Sequence, residues 1–129
     1  MGPESPFIPY LATLKAATQL TPDIKLLSVE LEDPDTKAGF DYMPGQFALL
    51  SACGEGEAPF VIVSLPLEKD GLEFAVRRIG TVTRALQELE PGDTLGVRGP
   101  FGNYFPLEDY VGKNIIIIGG ALEWHHCVR

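Results

Sequence analysis

Two arginines, a glycine and two threonines lie close together in the middle of the chain, in a pattern that can bind an anion. Arg77 and Arg78 end an extended apolar run, and Gly80 precedes a short helical segment that contains Thr81 and Thr83. A glycine allows a ligand to approach the backbone, and the first N–H groups of a helix point outward at its positive end. This segment therefore predicts an anion site at the start of the helix.

The same threonines have an alternative role in stabilising the helix. A threonine at an N-cap accepts a hydrogen bond from a backbone N–H group and contributes about 1 kcal/mol. Thr81 and Thr83 both stand where such a cap is expected. The residues alone leave capping and phosphate binding open, and one threonine can do both.

The composition restricts the other kinds of function. The 129 residues carry a formal net charge of −8, which argues against a nucleic-acid surface because phosphate backbones attract clustered lysine and arginine. No apolar run approaches the roughly 20 residues that a membrane-spanning helix needs, and the first residues lack the features of a secretory signal. Cys53 and Cys127 are too few for a disulfide scaffold or a four-cysteine cluster. We expect a cytoplasmic protein without nucleic-acid or membrane partners.

Catalytic and metal-binding side chains are poorly placed. Both histidines, His125 and His126, lie beside Cys127 in an irregular segment. Adjacent residues seldom point at one metal, and structural sites need four ligands at suitable spacing. We therefore predict neither a metal site nor a catalytic side chain.

The elements around the anion site are mostly strands. Apolar and polar residues alternate between turn signals, which predicts about six short strands and one helix, a pattern typical of a closed antiparallel barrel. Residues 33–39 and 54–57 are predicted to be loops, and residues 67–71 a hairpin turn. The predicted strands are residues 11–19, 24–32, 46–52, 59–65, 72–79 and 94–98.

The strand before the helix has two distinct faces. Leu72, Phe74 and Val76 share one face, which is predicted to be the core, and Ala75 and Arg77 share the other. Arg77 is therefore predicted to point outward, on the side of the anion site.

The end of the chain departs from the barrel pattern. Residues 113–120 form an apolar run ending in glycines, like the first strand of a parallel nucleotide-binding sheet. Residues 122–129 continue no strand or helix pattern, and their Leu-Glu pair followed by histidines favours a vector-derived tail over a truncated domain. We predict a barrel over residues 1–112, a strand stub over residues 113–121 and an irregular tail over residues 122–129.

Four motifs in order give the chain a resemblance to a known family. From about Tyr10 to Gly120 it resembles the FAD-binding barrel of the ferredoxin–NADP reductase superfamily. The likeness is greatest to the electron-transfer flavin subunits of three enzymes, namely hydrogenase (its gamma subunit), anaerobic sulfite reductase and dihydroorotate dehydrogenase. The motifs are Met43-Pro44-Gly45-Gln46-Phe47, the segment from Ala58 to Pro66, Arg77-Arg78-Ile79-Gly80-Thr81-Val82-Thr83, and Gly99-Pro100-Phe101-Gly102-Asn103-Tyr104-Phe105.

The resemblance implies both a fold and a cofactor. The implied fold is all-β, a six-stranded antiparallel Greek-key barrel with one short capping helix. The implied cofactor is FAD, with FMN as the alternative; its isoalloxazine lies against residues 60–62 and its pyrophosphate at Arg77 and residues 80–83. The implied cofactor-binding residues are Phe60, Val61, Ile62, Ser64, Ala75, Arg77, Gly80, Thr81, Val82 and Thr83.

One motif of the family is only partly present. The family has Arg-x-Tyr-Ser, followed by a serine or threonine; here Ala58, Phe60 and Val61 stand at the first three named positions and Ser64 at the last. In the family, the arginine pairs with the pyrophosphate, the tyrosine packs on the isoalloxazine and the first serine hydrogen-bonds near N5. Phe60 can still offer an apolar face, but Val61 offers only its backbone N–H.

The resemblance implies an electron-transfer domain of a larger oxidoreductase. In the full-length protein it would relay reducing equivalents between NAD(P)H and an iron–sulfur or other redox subunit. NAD(P)H would bind only through a nicotinamide domain that these 129 residues lack, so we expect no NAD(P)H turnover by this chain alone. Two alternatives remain: a flavin-free barrel that serves subunit docking, favoured by Ala58 and Val61, and a barrel that binds another small anion.

Overall fold

The computed structural model describes residues 8–64, 71–116 and 118, which form six strands and two short α-helices. None of these helices is long and apolar enough to cross a membrane. The strands are β1 (Tyr10–Thr21), β2 (Ile24–Leu31), β3 (Phe47–Ala52), β4 (Gly56–Val61), β5 (Leu72–Arg77) and β6 (Thr94–Phe101). The helices are α1 (Pro34–Gly39) and α2 (Thr81–Gln87), and a short 3-10 helix covers Leu107–Tyr110.

The strands form one sheet in the order β4-β3-β6-β1-β2-β5, with every neighbouring pair antiparallel. The two outer strands meet where Ile62 pairs with Phe74 and the N–H of Val63 donates to the carbonyl of Glu73 at 2.9 Å. The sheet therefore closes on itself, which covers edge groups that would otherwise be exposed. Because β6 lies between β1 and β3, the connections are those of a Greek key. The predicted all-β barrel is confirmed.

The barrel interior is filled by aliphatic and aromatic side chains. Leu14, Leu27, Leu50 and Phe74, from four different strands, are fully buried. Leu86 of α2 is fully buried in the same cluster, so the helix is held on the barrel by its own apolar side chain. Burial of each such side chain stabilises the fold by roughly 1.5–3 kcal/mol.

The faces of β5 agree with the prediction from alternation. Leu72, Phe74 and Val76 are buried and Arg77 is exposed. Ala75, on the same face as Arg77, is buried as well. On the outer face of β5, the residue with the greatest exposure is therefore Arg77, at the end of the strand that precedes α2.

The predicted loop over residues 33–39 is wrong, because residues 34–39 form α1. The side chain of Asp33 caps this helix by accepting from the N–H of Asp35 at 3.2 Å and from the hydroxyl of Thr36 at 2.9 Å. Pro34 occupies the first helical position, where its missing N–H costs nothing. The cap and the proline outweigh a composition that is otherwise typical of a loop.

The predicted loop over residues 54–57 is also wrong in its second half. Gly56 and Glu57 pair with Ala52 and Ser51 and begin β4, which ends at Val61. Gly54 in the turn has a φ of +81°, a left-handed conformation that allows a tight reversal. The glycines therefore shorten the loop.

Some predicted features lie outside the described residues. Most of the turn at residues 67–71 and the whole tail at residues 122–129 belong to this group. Of the predicted strand stub, residues 113–116 and 118 are described; they are exposed and outside any strand. The stub and the domain boundaries therefore stay predictions.

One buried amide joins α2 to the barrel. Gln87 is 7% exposed, and its Nε2 donates to the carbonyl of Val76 at 2.8 Å and to the carbonyl of Asp23 at 2.9 Å. The first carbonyl belongs to β5 and the second to the turn between β1 and β2. A single side chain thus fixes the helix against two separate parts of the sheet.

We predict that Gln87→Met lowers the free energy of unfolding by about 2 kcal/mol, because the Val76 carbonyl loses a buried donor and the Asp23 carbonyl loses one of its two donors, while the side-chain volume is kept. Gln19 is the matched control: its Nε2 also donates to two carbonyls, of Thr21 and Ile24, but the residue is exposed. Gln19→Met should change stability by less than about 0.5 kcal/mol. Urea unfolding measures both, and equal losses would show that burial of the Gln87 amide is unimportant.

Candidate functional site

Helix α2 begins immediately after the exposed end of β5, where the sequence predicts the anion site. Gly80 is the N-cap, and its carbonyl accepts the first helical hydrogen bond, from the N–H of Arg84 at 2.9 Å. Helix geometry leaves the N–H groups of Thr81, Val82 and Thr83 without a partner inside the helix. Gly80 and Thr81 are exposed, so this end of the helix is open to a ligand.

The protein itself does not require a glycine at position 80. Its φ of −168° is an extended conformation that any residue adopts, and an added Cβ would meet no described atom within 4 Å. The space beside the Gly80 backbone is therefore open. A ligand that approaches the backbone closely is a physical reason for a glycine at this position.

The Thr83 hydroxyl holds the junction between β5 and α2. Thr83 is 6% exposed, and its Oγ1 accepts from the N–H groups of Ile79 and Gly80, both at 2.9 Å. The hydroxyl donates to the carbonyl of Gly80 at 3.1 Å. Thr83 thus has the predicted capping role, which it performs from the third position of the helix. A direct contact between Thr83 and phosphate stays a prediction.

Arg77 lies at the edge of this site and is held by an ion pair. Its Nε donates to Oδ2 of Asp23 at 3.0 Å, and the Arg77 and Asp23 side chains are 44% and 43% exposed. A hydrogen bond from the Thr21 hydroxyl, followed by the contact with Arg77, holds the pKa of Asp23 below its usual value. Arg77 can reach a phosphate only by leaving or sharing this carboxylate.

The predicted isoalloxazine residues follow one another through the end of β4. Phe60 is half-buried, packs against the core and pairs with the fully buried Ala48. Val61 pairs with Phe47 on the alternate face of the strand. Ile62 is 2% exposed, and its N–H donates to the carbonyl of Gln46 at 3.1 Å. The accessible surface at the end of β4 is therefore apolar.

Ser64 serves the barrel closure. It is 4% exposed; its Oγ lies 2.9 Å from the hydroxyl of Tyr42 and accepts from the N–H of Glu73 at 3.1 Å. The Tyr42 hydroxyl also donates to the Ser64 carbonyl at 3.1 Å. Tyr42 was not predicted, because no local pattern signals a hydrogen bond between residues 22 positions apart.

The structure brings the motif elements together. Helix α2 packs against β4 and β5, and a Cβ on Gly56 of β4 would lie 3.6 Å from Cγ2 of Val82. Two further motifs meet where Nε2 of Gln46 donates to the carbonyl of Gly102 at 3.0 Å. In the same place, the N–H of Phe105 donates to the carbonyl of Pro44 at 2.8 Å. Motifs that are distant in sequence therefore form neighbouring parts of one surface.

Two residues near the helix start were missed by the sequence analysis. Asp23, which pairs with Arg77, is 54 positions away in the chain and carries no signal of that pairing. Ile79 lies directly before Gly80 and is 80% exposed. An exposed isoleucine between a charged strand end and a helix start is a signal that could have been noticed.

An ion pair between Glu57 and Arg98 connects β4 to β6. Nε of Arg98 donates to Oε2 of Glu57 at 3.1 Å, and Nη2 of Arg98 contacts the other carboxylate oxygen. The Arg98 hydrogen bond holds the pKa of Glu57 below its usual value. This bidentate pair spans β3 and fixes the strand that ends in Phe60 and Val61.

This chain has relatives in other organisms. It is 35% identical over 122 residues to the sulfhydrogenase 1 gamma subunit of Pyrococcus furiosus, covering 95% of this chain and 42% of that protein. It is 32% identical over 114 residues to the probable dihydroorotate dehydrogenase B (NAD(+)) electron transfer subunit of Methanocaldococcus jannaschii, covering 88% and 38%. The chain therefore spans about two fifths of the length of these relatives.

Solved structures share the barrel. Ferredoxin–NADP+ reductase from Plasmodium falciparum matches 79% of this chain and 41% of its own length, with a TM-score of 0.67 and 16% identity. The ferredoxin reductase in carbazole 1,9a-dioxygenase matches 78% of this chain and 30% of its own length, with a TM-score of 0.63 and 25% identity. Residues 11–105 also match the model of the oxidoreductase FAD-binding domain family. Because that match covers most of the chain, this protein belongs to the oxidoreductase FAD-binding domain family, as its four motifs predict.

Proposed function

We propose that this domain holds FAD with its phosphates at the start of α2 and acts as the electron-transfer module of a larger oxidoreductase. The observation that carries the proposal is the open backbone at Gly80, between the exposed end of β5 and the start of α2, a helix that packs against β4 and β5. Three N–H groups of the first helical turn and the positive end of the helix favour an anion there. Arg77 adds a cation at the same junction.

The residues present fit the phosphate half of the cofactor better than the flavin half. At the phosphate half, the N–H groups of residues 81–83 are donors, and Arg77 is a charge-assisted donor. At the flavin half, Phe60 and Val61 supply apolar contact, but no side-chain hydroxyl stands at position 61. We therefore expect the phosphates to account for most of the binding free energy.

FAD supplies the hydride and single-electron chemistry when it is bound, and the chain supplies position and electrostatics. The apolar end of β4 would exclude water from one side of the ring system. The Thr83 hydroxyl keeps the β5–α2 junction in the conformation that exposes the helix N–H groups. No side chain at this site is required to act as an acid or base.

The names of the relatives support a partner subunit. They describe a gamma subunit of a sulfhydrogenase and an electron transfer subunit of an NAD(+)-dependent dehydrogenase. We propose that this domain likewise passes electrons to an iron–sulfur or other redox subunit. We propose also that NAD(P)H binds to a part of the full-length protein beyond these 129 residues.

A specific observation favours a second candidate, a flavin-free docking barrel. Thr83 and Arg77 both have partners within the protein, and Ala58 and Val61 replace polar residues of the family motif. A barrel that had lost its cofactor would keep such internal contacts. The two candidates differ in whether the purified chain binds FAD.

We predict that the purified chain binds FAD and that FAD raises its melting temperature. At a concentration 100 times Kd, FAD should add about 2.7 kcal/mol to the free energy of unfolding. Riboflavin, which has the ring system without phosphate, is the control and should stabilise far less. The visible spectrum of fresh protein and thermal unfolding with each compound measure this. Absence of flavin absorbance together with an unchanged melting temperature would favour the docking barrel.

We predict that Gly80→Ser keeps the fold but weakens FAD binding by about tenfold or more. Serine is a good N-cap, and its Cβ meets no protein atom within 4 Å, so stability should not fall. The same side chain fills the space through which a phosphate approaches the backbone. Gly39→Ser is the matched control, since its added Cβ also meets nothing within 4 Å. Equal FAD affinity in wild type and Gly80→Ser would place the phosphates elsewhere.

We predict that Asp23→Asn raises FAD affinity several-fold, because it releases Arg77 from its carboxylate partner. An exposed ion pair contributes only up to about 1 kcal/mol, which sets the size of the gain. In an Arg77→Gln background, Asp23→Asn should have no effect on affinity. FAD titrations of the four proteins in this cycle measure the coupling. An equal gain in both backgrounds would mean a general charge effect and would contradict the role of Arg77.

A further inference from the structure

We propose that a second anion site lies in the cleft between α2 and the β1–β2 turn, and that it takes a compact organic ligand with two or more carboxylate or phosphate groups. The cleft has a volume of about 540 Å³. That is within the range of small-molecule sites and far larger than one inorganic ion needs. Pro22 and Leu89 add apolar surface to the lining, which suits an organic ligand.

Cations are concentrated in this cleft. Lys25, Arg78 and Arg84 line it, and they are three of the ten lysine and arginine residues in a chain of net charge −8. Each comes from a different part of the fold: the second residue of β2, the position after β5, and the middle of α2. Such convergence in an acidic protein is not expected from composition.

The two arginines are available to a ligand. Both are exposed, and within residues 8–64 and 71–116 neither guanidinium has a hydrogen bond or ion pair. Lys25 is fixed differently, since its Nζ donates to the carbonyl of Gln87 at 2.8 Å. Planar guanidinium groups bind carboxylate and phosphate through paired hydrogen bonds. The arginines are therefore the recognition groups, and Lys25 adds a positioned charge.

Two carboxylates in the same cleft restrict where an anionic ligand can bind. Glu88 and Glu90 also line it, which leaves one net positive charge among the lining side chains. They repel an anion that approaches them, so an anionic ligand must bind on the arginine side. Removal of one carboxylate should therefore strengthen binding, the opposite of removing an arginine.

The cleft is distinct from the proposed flavin site. None of the ten residues predicted to bind the cofactor lines it. Arg77 and Arg78 are adjacent in sequence, yet only Arg78 belongs to the cleft, while Arg77 pairs with Asp23. The proposal therefore does not depend on whether the chain binds FAD.

The test uses citrate and inorganic pyrophosphate as probes, titrated into the whole chain at constant ionic strength, with and without saturating FAD. Calorimetry gives the affinity, and backbone amide chemical shifts give the location. We expect saturable binding of at least one probe, with shifts at Lys25, Arg84 and Glu88. The tighter probe identifies the ligand as a polycarboxylate or a phosphate compound.

Three variants make the location falsifiable. Arg84→Gln should weaken binding about tenfold, as expected for loss of a charge-assisted hydrogen bond, and Glu88→Gln should tighten it several-fold. Lys113→Gln, the matched control, removes an exposed cation outside the cleft and should change nothing. The proposal is overturned if neither probe saturates, if Lys113→Gln and Arg84→Gln weaken binding equally, or if the shifts lie at residues 80–83 and disappear with FAD.

Discussion

The hydrogen bonds that meet at the Asp23 carbonyl hold together the end of the barrel that carries the candidate site. This oxygen accepts from Nε2 of Gln87 at 2.9 Å and from the N–H of Arg78 at 2.8 Å. It thereby joins the β1–β2 turn to the last helical residue of α2 and to the residue after β5. The second bond of Gln87, to Val76, ties the same helix to β5. The open start of α2 and the cationic cleft both adjoin the segments that these hydrogen bonds connect. The geometry of both features therefore depends on these bonds.

In the same region, a polar side chain can have a partner within the protein and still be able to exchange that partner for a ligand. The Asp23–Arg77 pair is exposed on both sides, and pairs of this kind contribute about 0–1 kcal/mol. A guanidinium–phosphate contact beside a helix start is stronger, because it is charge-assisted and adds to the helix dipole. The phosphate that we propose at this site would therefore displace Asp23 from Arg77 at a small cost in free energy. Thr83 differs: its hydroxyl is buried and makes three local hydrogen bonds, so it stabilises the site.

Local patterns were sufficient to predict much of the fold. Alternation identified six strands, and it placed Phe74 inside and Arg77 outside. The order of the four motifs predicted the barrel. Local composition was misleading at residues 33–39, where one capping aspartate and a proline decide the structure. The candidate site was predicted less completely than the fold.

The missed parts of the site share one physical property. The Asp23–Arg77 pair and the Tyr42–Ser64 contact join residues 54 and 22 positions apart. Such contacts depend on strand register and barrel closure, which no local pattern encodes. In the sequence, Gln87 looks like an ordinary polar residue of a helix. Its buried hydrogen bonds become evident only from the packing of α2 against the barrel.

The Arg77-Arg78 pair illustrates how a strand end divides one sequence feature between two surfaces. β5 ends at Arg77, which keeps the outward position of the strand and lies on the side of Asp23. Arg78 is already outside the strand; its N–H turns to the Asp23 carbonyl and its side chain lines the cleft. The two side chains therefore have different surroundings, although both residues contact Asp23. If both had stayed on one face, their mutual repulsion would have raised the cost of a single cationic site. Arg77 therefore has a carboxylate partner, while the Arg78 side chain lines the cleft beside α2.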